Sequence, residues 1–592
     1  MSSATFSRVT YIGRAVQPLK RKGRPRLYGF DTEATPTGKC FMAAISTGDG
    51  TRAVVTPDQI LPYLFRRELR GRVGVAYNLR YDAGAVLQGL SLPELRILRA
   101  TGSVKSGVYT FRVVADKAFT VRKGRDSRTI YDLFSFFGTS LAAAAAELLG
   151  AEDKKRVIDV EKFTPRYIEK HWRFIADYCW QDAELVRLLG EKLLDGFNDL
   201  GAFPQKLYSS AYVAYDACRR ACDYQSVFEY WNRRKPVLAA AMDAYHGGKF
   251  EVTSKGPYQM LYDIDINSAY PAVMATLPSI NRGCDVVFSD RYVPDSSLAL
   301  IKARVFVPPG FAHTIPVANG RGVQTYPCGD LGEVVLTLPE YLYLTSSGVA
   351  TVDLLYGWWF VTDPTIEKPY KRFIEGLYKL KRTAKSPLHR KVAKTLANAL
   401  YGKQVQLIRK DGRYIAGSNW NPIYGSHVTG SVRVEMARLQ NEYSSVVAVH
   451  TDSVLSTEPL PIPMSQELGR FKEEAAGSGY IVASGVYSIT GGEGRKRVAL
   501  RGFRSRLDIE GLARLGGSRD TVSIETKRPY TWRDVAARGL DTNLLNTFHH
   551  ETKEISCRQD SKRLWLDDWT SWQQVTQRQV ESLPLPIEAL RS

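Results

Sequence analysis

Acidic residues stand beside strand-like apolar runs in three separate segments of the first third of the chain. Asp31 and Glu33 take alternate positions of the run RLYGFDTEA, so both side chains leave one face of a strand. Asp82 follows a second run, GRVGVAYNL, and Asp182 lies four residues after Tyr178 on a helix predicted over 164–194, with Thr164 as its cap. If these segments fold against each other, the sequence predicts one cluster of four carboxylates.

Such a cluster suits two divalent cations. Mg²⁺ and Mn²⁺ prefer oxygen ligands, and two such ions roughly 3.5–4 Å apart can generate a hydroxide and stabilise the leaving oxygen of a phosphodiester. Tyr178 could orient the attacking water. Each carboxylate taken alone is better explained as a surface acid or a helix cap. Three acidic segments in this order, with Asn78 four residues before Asp82 and Tyr178 four residues before Asp182, favour a hydrolytic centre.

A second pair of acids lies in the middle of the chain. QMLYDIDINSAYP (259–271) predicts a strand that ends in a turn, with Asp265 at the strand end and Tyr270 placed to face a sugar. The peptide groups of residues 266–269 could contact triphosphate oxygens. SSVVAVHTDSVLST (444–457) predicts a hairpin with Asp452 on its turn. Two Asp on adjacent strands could share Mg²⁺ in nucleotidyl transfer, whereas Asp263 is better explained as a strand cap.

A helix is predicted over 386–402, with Ser386 as cap, Pro387 in the first turn and Gly402 at the end. One stripe of this helix carries Arg390, Lys394, Asn398 and Tyr401. The stripe suits the phosphates and base of a nucleotide, and Arg382 upstream could extend it. A solvated basic face is the alternative; Asn and Tyr, rather than further charges, complete the stripe and argue against it.

Charge and cysteine content narrow the class of protein. Of 592 residues, 81 are Lys or Arg and 61 are Asp or Glu, a net charge of +20 that favours a polyanionic partner. Seven scattered cysteines disfavour a secreted disulfide scaffold. The start of the chain lacks an apolar signal core and no apolar run reaches roughly 18 residues. We therefore expect a cytoplasmic protein, in the host cell if it is viral, with no membrane partner.

Several of these strings resemble known motifs. DTE, NLRYD and YCWQD resemble the three exonuclease motifs of DEDDy-type proofreading DNA polymerases. DINSAYP, KTLANALYG and HTDS resemble motifs A, B and C of family B DNA polymerases, and YHGG (245–248) resembles their YxGG motif. The resemblance covers about 28 to at least 505 in the family's order. The length resembles that of the small protein-primed branch of phages and linear plasmids.

The resemblance implies roles for individual residues. The expected catalytic residues are Asp265, Asp452, Asp31, Glu33, Asp82, Asp182 and Tyr178. The expected metal ligands, for two Mg²⁺ or Mn²⁺ ions per active site, are Asp265, Ile266, Asp452, Asp31, Glu33, Asp82 and Asp182. The expected nucleotide-binding residues are Arg382, Arg390, Lys394, Asn398, Tyr270 and Tyr401. The expected DNA-binding residues are Asn78, Tyr81, Tyr245, Gly247, Gly248, Tyr487 and Arg501.

The chain departs from the family pattern at four places. His450 stands where motif C has its first Asp, and Ala269 where motif A has Leu. The KxY motif appears as GVY (485–487), which keeps Tyr487 and loses the Lys. The second insertion is only about twenty residues (403–422), which puts strand displacement and processivity in doubt. The basic run 495–506 could hold primer phosphates, or could be a charged edge strand that discourages aggregation.

The implied fold is multidomain α/β and α+β, an RNase H-like 3′–5′ exonuclease domain followed by a right-hand polymerase of palm, fingers and thumb. The expected segments are a basic arm (1–26), the exonuclease domain (27–200), a connecting segment with the YxGG motif (201–257), the palm with motif A and a first insertion (258–365), the fingers (366–404), the palm with motif C and a short second insertion (405–520), and the thumb or C-terminal region (521–592).

The implied function is template-directed DNA synthesis with proofreading, primed by a terminal protein, on a linear viral or plasmid genome. The implied partners are a DNA primer–template, dNTPs, a terminal protein and a single-stranded-DNA-binding protein. Three alternatives stay open. The chain could be a nucleic-acid-primed polymerase of the same family, an exonuclease whose polymerase half is degenerate, or a non-catalytic nucleic-acid-binding protein.

Overall fold

The computed structural model describes residues 9–10, 23–150, 160–221, 235–384, 386–410, 413–417, 419–503 and 507–591. Most of the predicted basic arm lies outside these ranges. The first sheet and its helices follow a short strand near the N-terminus. In chain order these elements are β1 (Val9–Thr10), β2 (Arg26–Ala34), β3 (Cys40–Ser46), β4 (Arg52–Val55), α1 (Pro57–Leu64), β5 (Arg72–Ala76), α2 (Leu79–Leu87), α3 (Leu92–Thr101), β6 (Ser103–Ser106), β7 (Tyr109–Val114), β8 (Ala118–Lys123), β9 (Asp126–Asp132), α4 (Phe134–Phe137), α5 (Leu141–Leu149), α6 (Pro165–Asp199) and α7 (Ser210–Ala221).

The first sheet has the order β4-β3-β2-β5-β9-β8-β7-β6, with β2, β5 and β9 parallel. Helix α6 crosses β2 and β3 and begins as the sequence predicts: the hydroxyl of Thr164 accepts a hydrogen bond from the Tyr167 amide at 3.3 Å. A Cβ atom at Gly29 on β2 would overlap the carbonyl oxygen of Ala183 on α6. Glycine therefore allows the approach that brings Asp182 to the sheet.

In the part that the structure describes, the middle of the chain contributes strands to four further sheets, among them the largest. Its elements are α8 (Lys235–Asp243), β10 (Lys249–Val252), β11 (Ser254–Ile266), α9 (Ala269–Thr276), β12 (Cys284–Ser289), β13 (Leu298–Val307), β14 (Val317–Ala318), β15 (Gln324–Thr325), β16 (Gly329–Thr337), α10 (Leu338–Ser346), β17 (Thr351–Thr362), α11 (Lys371–Thr383), α12 (Pro387–Ala399), β18 (Leu407–Lys410), β19 (Arg413–Ala416), α13 (Pro422–Glu442), β20 (Val446–Thr451), β21 (Ser453–Ser456), β22 (Phe471–Ala483), β23 (Val486–Gly491) and β24 (Lys496–Leu500).

The central sheet has the order β10-β20-β21-β11-β22-β23-β24. The predicted strand into a turn and the predicted hairpin are both present, as β11 with α9 and as β20 with β21. Because β11 pairs with β21, Asp265 lies opposite Ser453, next to Asp452. The predicted motif B helix is α12, whose buried face includes Leu388, Val392 and Leu396. These residues share one apolar core with residues of α6, which ties the two halves of the chain together.

A smaller sheet, β12-β17-β13-β16, is covered by α10. Strands β18 and β19 form a hairpin inside the predicted short second insertion, and β1 pairs with β19. The C-terminal elements are α14 (Ile509–Gly516), β25 (Thr521–Pro529), α15 (Trp532–Arg538), β26 (Phe548–Ser556), β27 (Arg563–Trp565), α16 (Trp572–Val575), β28 (Val580–Pro584) and α17 (Glu588–Arg591). Strand β28 returns to the central sheet beside the start of β11. Within the described ranges, the helices are too short or too polar to cross a membrane.

Candidate active sites

The N-terminal acidic cluster, defined as Asp31, Glu33, Asp82 and Asp182, forms where β2, α2 and α6 meet. Oxygen atoms of Asp31 and Glu33 and the sulfur of Cys179 lie within 4.8 Å of one another. Glu33, Asp82 and Asp182 are all buried. Burial, and then the charges of Asp31, Glu33 and Asp182, raises the pKa of the Cys179 thiol. Three of the predicted carboxylates therefore lie close to one thiol, and Asp82 adjoins them through its hydrogen bond from Thr32 on β2.

Cys179 was not among the predicted site residues, although it follows Tyr178 directly. Its sulfur lies 3.6 Å from Oδ2 of Asp31 and 3.7 Å from the Asp31 carbonyl oxygen. Since its pKa is raised, the group stays a neutral thiol, which is a poor ligand for hard cations such as Mg²⁺. Tyr178 is half-buried against the small apolar cluster that contains Cys179.

Asp82 is held by its neighbours and its pKa is high. The Thr32 hydroxyl donates a hydrogen bond of 2.8 Å to Oδ1 of Asp82. Burial raises the pKa of Asp82 to about 7, and that hydrogen bond opposes the shift. Asp132 accepts bonds from the backbone amides of Asn78 (2.8 Å) and Leu79 (3.2 Å), so it fixes the start of α2. A buried carboxylate with so high a pKa gains from a cation that replaces its proton.

The other two predicted residues of α2 lie near this cluster. Tyr81 is half-buried, and its pKa is raised by burial and by the charges of Glu33 and Asp82. Asn78 is exposed, with a left-handed backbone (φ 64°) at the helix cap. Tyr81 therefore lies close to two of the predicted metal ligands, and Asn78 lies at the start of the same helix.

The central acidic pair, Asp265 and Asp452, forms at the end of β11. The amide of Ile266 donates a 3.0 Å hydrogen bond to the carbonyl oxygen of Asp452. Burial and the charge of Asp265 raise the pKa of Asp452 to about 6. Burial also raises the pKa of Asp265, while Lys472, 3.5 Å away, lowers it. Two neighbouring, half-buried acids of this kind form a site that fits a divalent cation.

Three tyrosines from three segments meet beside this pair. The rings of Tyr270 and Tyr401 are 4.6 Å apart, and the Tyr401 hydroxyl donates a hydrogen bond to the Tyr245 hydroxyl at 3.1 Å. A Cβ atom at Gly248 would crowd the side chain of Thr451 and the Tyr270 hydroxyl. The structure thus joins YHGG to the predicted nucleotide-binding tyrosines and to the turn that carries Asp452.

Lysines surround Asp265 on the other side. Lys394 on α12 and Lys381 on α11 both interact electrostatically with Asp265. Burial, and then the charges of Lys394 and Lys472, lowers the pKa of Lys381. Lys381 was not predicted; the residue chosen on α11 was its neighbour Arg382.

The remaining stripe residues are exposed. Arg390 and Asn398 lie on the same exposed face of α12 as Lys394. Arg382 lines a cleft of about 740 Å³ between α9 and α11, together with Ala272, Tyr378 and Glu467. Successive helical residues point about 100° apart, which explains why Lys381 and Arg382 face different surroundings.

The two departures from motif C and KxY lie together. The His450 ring stacks on Tyr487 at 4.9 Å with an interplanar angle of 6°. Burial and three nearby cations lower the pKa of His450 to about 3, so the ring is neutral. Neither ring nitrogen has a hydrogen-bond partner among the described residues. Tyr487 instead donates to Oδ2 of Asp263 at 3.1 Å.

Asp263 is a buried ion-pair partner rather than a strand cap. It is fully buried, and Nε of Arg497 lies 2.6 Å from its Oδ2. Burial raises its pKa, and the charge of Arg497 and the hydrogen bond from Tyr487 oppose the rise. No local pattern predicts this pairing, because Arg497 lies more than 230 residues away within an ordinary basic run.

Two cations flank Phe250 in a second cleft. The guanidinium of Arg501 lies 4.2 Å from the ring centroid and Nζ of Lys562 lies 5.5 Å from it. Both line a cleft of about 360 Å³ with Gly247 and Gly248 of YHGG. The predicted DNA-binding residues Arg501, Gly247 and Gly248 therefore share one surface, to which Lys562 and Phe250 are added.

The side chain of Arg433 binds the backbone of the YHGG segment. This fully buried side chain donates from Nη1 to the carbonyl oxygens of His246 (2.8 Å) and Gly247 (3.0 Å). Its Nη2 lies 2.7 Å from Glu340, which is also buried. The predicted glycines are thus held in place by an ion pair that sequence motifs did not identify.

Comparison with known proteins places these centres in a family context. The model of a family described as DNA polymerase type B, organellar and viral, matches residues 151–473, more than half of the chain. The chain is 25% identical over 280 residues to a DNA polymerase of Acidianus bottle-shaped virus (isolate Italy/Pozzuoli), covering 44% of this chain and 40% of that protein. It is 26% identical over 245 residues to the "primer-independent DNA polymerase PolB" of Escherichia coli, covering 37% and 28%. The chain thus spans less than half the length of these relatives.

Solved structures show the same fold. Phi29 DNA polymerase in an orthorhombic crystal form aligns with a TM-score of 0.64 at 14% identity, covering 90% of this chain and all of that one. The phi29 enzyme with primer–template DNA and incoming nucleotides aligns with a TM-score of 0.63 at 15% identity and the same coverage. The predicted fold class, multidomain α/β and α+β, is confirmed by this likeness to the fold of phi29 DNA polymerase.

Proposed function

This chain belongs to the organellar and viral type B DNA polymerases, and from that premise we propose that it extends DNA on a template at the central acidic pair and trims 3′ ends at the N-terminal acidic cluster. The observation that carries the proposal is the meeting of Asp265 and Asp452 at the end of β11, where a backbone hydrogen bond joins Ile266 to Asp452 and the tyrosines and lysines described above lie beside the two acids. The domain boundaries expected from the sequence are part of this proposal.

In the polymerase centre, Asp265, Asp452 and the backbone of Ile266 would hold two Mg²⁺ or Mn²⁺ ions. Bound there, these ions lower the pKa of an attacking hydroxyl and neutralise charge on a leaving pyrophosphate. Lys381 and Lys394 bind triphosphate oxygens, and the exposed Arg390 extends that surface. Tyr270 and Tyr401 offer faces to the sugar and the base pair of the nucleotide. Arg501 and Lys562, beside Phe250, bind backbone phosphates of the DNA strand.

In the exonuclease centre, Asp31, Glu33, Asp82 and Asp182 would hold the same kind of ions. Thr32 and Asp132 keep Asp82 and the start of α2 in position. Tyr178 orients the water that attacks the terminal phosphodiester. Tyr81 and Asn78 contact the strand as it enters.

A labelled primer–template tests this function. With Mg²⁺ and dNTPs the protein should lengthen the primer, and without dNTPs it should shorten it from the 3′ end. If the primer is shortened but never lengthened, the result supports the second candidate, an exonuclease with a degenerate polymerase half. The neutral His450 in place of an Asp favours this candidate. If neither reaction is observed, the remaining explanation is a non-catalytic nucleic-acid-binding protein.

Initiation is a separate part of the proposal. We favour priming by a terminal protein, because the size and motif order resemble the protein-primed branch. The test supplies the cognate terminal protein with dNTPs and Mg²⁺ and looks for a protein–dNMP adduct. Parallel reactions with an oligonucleotide primer, and with template alone, distinguish nucleic-acid priming and the primer-independent synthesis named for one relative.

A further inference from the structure

The C-terminal hairpin β25–β26 carries an insert, residues 530–547, that packs on the N-terminal domain. Trp532, Val535 and Leu545 of this insert belong to the same apolar core as Leu79 and Leu95. Helix α15 of the insert lies against α3. The insert closes on itself through hydrogen bonds between Tyr530 and residues 546 and 547. The insert lies more than 400 residues after α2 and α3 in the sequence, and it packs on them beside the N-terminal acidic cluster.

Asn546 of this insert bonds directly to the helix that carries Asp82. It is 2% exposed and has a left-handed backbone (φ 67°). Its Nδ2 donates a hydrogen bond of 2.9 Å to the carbonyl oxygen of Tyr81, the peptide group that joins Tyr81 to Asp82. The insert thus acts on the helical turn that presents both a predicted DNA contact and a predicted metal ligand.

Two glycines of the N-terminal domain make room for this residue. A Cβ atom at Gly84 on α2 would overlap the side-chain amide of Asn546, and one at Gly38 would overlap the backbone of residues 546 and 547. Gln88 adds hydrogen bonds to the carbonyl oxygens of Gly38 (2.6 Å) and Leu545 (3.4 Å). The insert and the N-terminal domain are therefore closely complementary around Asn546. A methyl group added at Gly84 would displace the Asn546 side chain.

We propose that Asn546 is a positioning residue of the exonuclease centre, through which the C-terminal hairpin sets the place of Tyr81 and Asp82. This inference rests on the proposed exonuclease function. According to this inference, the hairpin insert contributes to degradation and does not contribute to nucleotide addition. The residues proposed for nucleotide addition lie on the central sheet and on α11 and α12. Removing the amide should let the first turn of α2 shift away from β2.

The first test is N546G, which deletes the amide and keeps the left-handed backbone that glycine adopts without strain. Loss of one buried hydrogen bond predicts a fall in kcat for single-strand degradation of about five- to tenfold. Primer extension should stay at the wild-type rate, and the thermal unfolding midpoint should fall by only about 2–4 °C, as the loss of one buried hydrogen bond predicts. The matched control N543G changes an exposed asparagine of the same insert and should leave all three unchanged.

The second test is a double-mutant cycle. G84A should slow degradation because its methyl group displaces the Asn546 amide, yet in N546G the space is free, so G84A should add no further loss. If the two effects simply multiply, or if N546G degrades DNA at the wild-type rate, the inference is wrong. Equal loss of extension and degradation would also overturn it, since that indicates a general structural role. A wild-type chain that degrades no DNA would overturn the exonuclease proposal, and this inference with it.

Discussion

The backbone of Ile266 and that of Asp452 are joined by one hydrogen bond, 3.0 Å from the amide nitrogen of the first to the carbonyl oxygen of the second. This bond lies beyond the regular pairing of β11 with β21. It locks the turn of one hairpin to the end of the strand that carries Asp265. The two acids are therefore placed by main-chain geometry, which side-chain substitutions leave intact.

Substituting Asp452 by Asn should abolish primer extension and leave degradation of single strands intact. The amide keeps the shape and removes the charge that a cation needs. A gel assay of both reactions on one protein preparation measures this. The converse variant, Asp31→Ala with Asp182→Ala, should lose degradation and keep extension. If either variant loses both activities, the two centres are not separate.

Substituting Lys381 by Ala should raise the KM for dNTPs by about tenfold or more, because a charged hydrogen bond to a phosphate is lost. Lys394→Ala should act in the same direction. Steady-state extension at varied dNTP concentration gives the value. Lys379→Ala is the matched control, since Lys379 lies two residues away on the same helix and is exposed. An unchanged KM for Lys381→Ala would remove this residue from the triphosphate site.

Substituting Arg501 and Lys562 by Ala should weaken binding of primer–template DNA and flatten its salt dependence. Each lost phosphate contact lowers the slope of log K against log salt by roughly 0.9. Fluorescence anisotropy between low and moderate salt measures that slope. Replacing Arg304, an exposed arginine on β13, by Ala serves as the control. If the slope does not change, these side chains do not contact phosphates.

Substituting Arg433 by Met should lower the free energy of unfolding by about 3–5 kcal/mol, because Glu340 would be left buried without its partner. The double variant R433M/E340M should recover much of that loss. Urea unfolding measures both. Extension by the double variant should stay impaired, because the carbonyl oxygens of His246 and Gly247 would still lack their donor. Normal extension by that variant would argue against a role for Arg433 in holding YHGG.

Acid should destabilise the protein through His427. Its Nδ1 donates to the Ile423 carbonyl at 2.7 Å and its Nε2 accepts from the Ala299 amide at 3.2 Å, which requires the neutral ring. Burial lowers its pKa from 6.5 to about 4. The unfolded chain therefore takes up a proton first as the pH falls below about 6.5, and stability is lost from there down to about 4.

At pH 5 this loss amounts to about 2 kcal/mol for one residue. The difference in unfolding free energy between wild type and His427→Gln should therefore narrow by that amount between pH 7 and pH 5. A constant difference for His427→Gln would show that the ring titrates normally.

Local pattern was enough to predict most of the secondary structure around both centres. The alternation of Asp31 and Glu33 on a strand, the cap of α6 at Thr164 and the hairpin around Asp452 all follow from the spacing of neighbouring residues. Residue spacing also separated the exposed stripe of α12 from its buried face. These features depend on periods of two or 3.6 residues, which short stretches of sequence contain in full.

Only the tertiary structure decided which distant groups meet. Asp263 with Arg497, Arg433 with the YHGG carbonyls, His450 with Tyr487 and Asn546 with Tyr81 are pairs formed by packing between separate elements. Lys381 rather than Arg382 interacts with Asp265 because the rotation of α11 is set by the helices around it. Side-chain charge, hydrogen bonding and pKa depend on those contacts and on burial, and no local period specifies either.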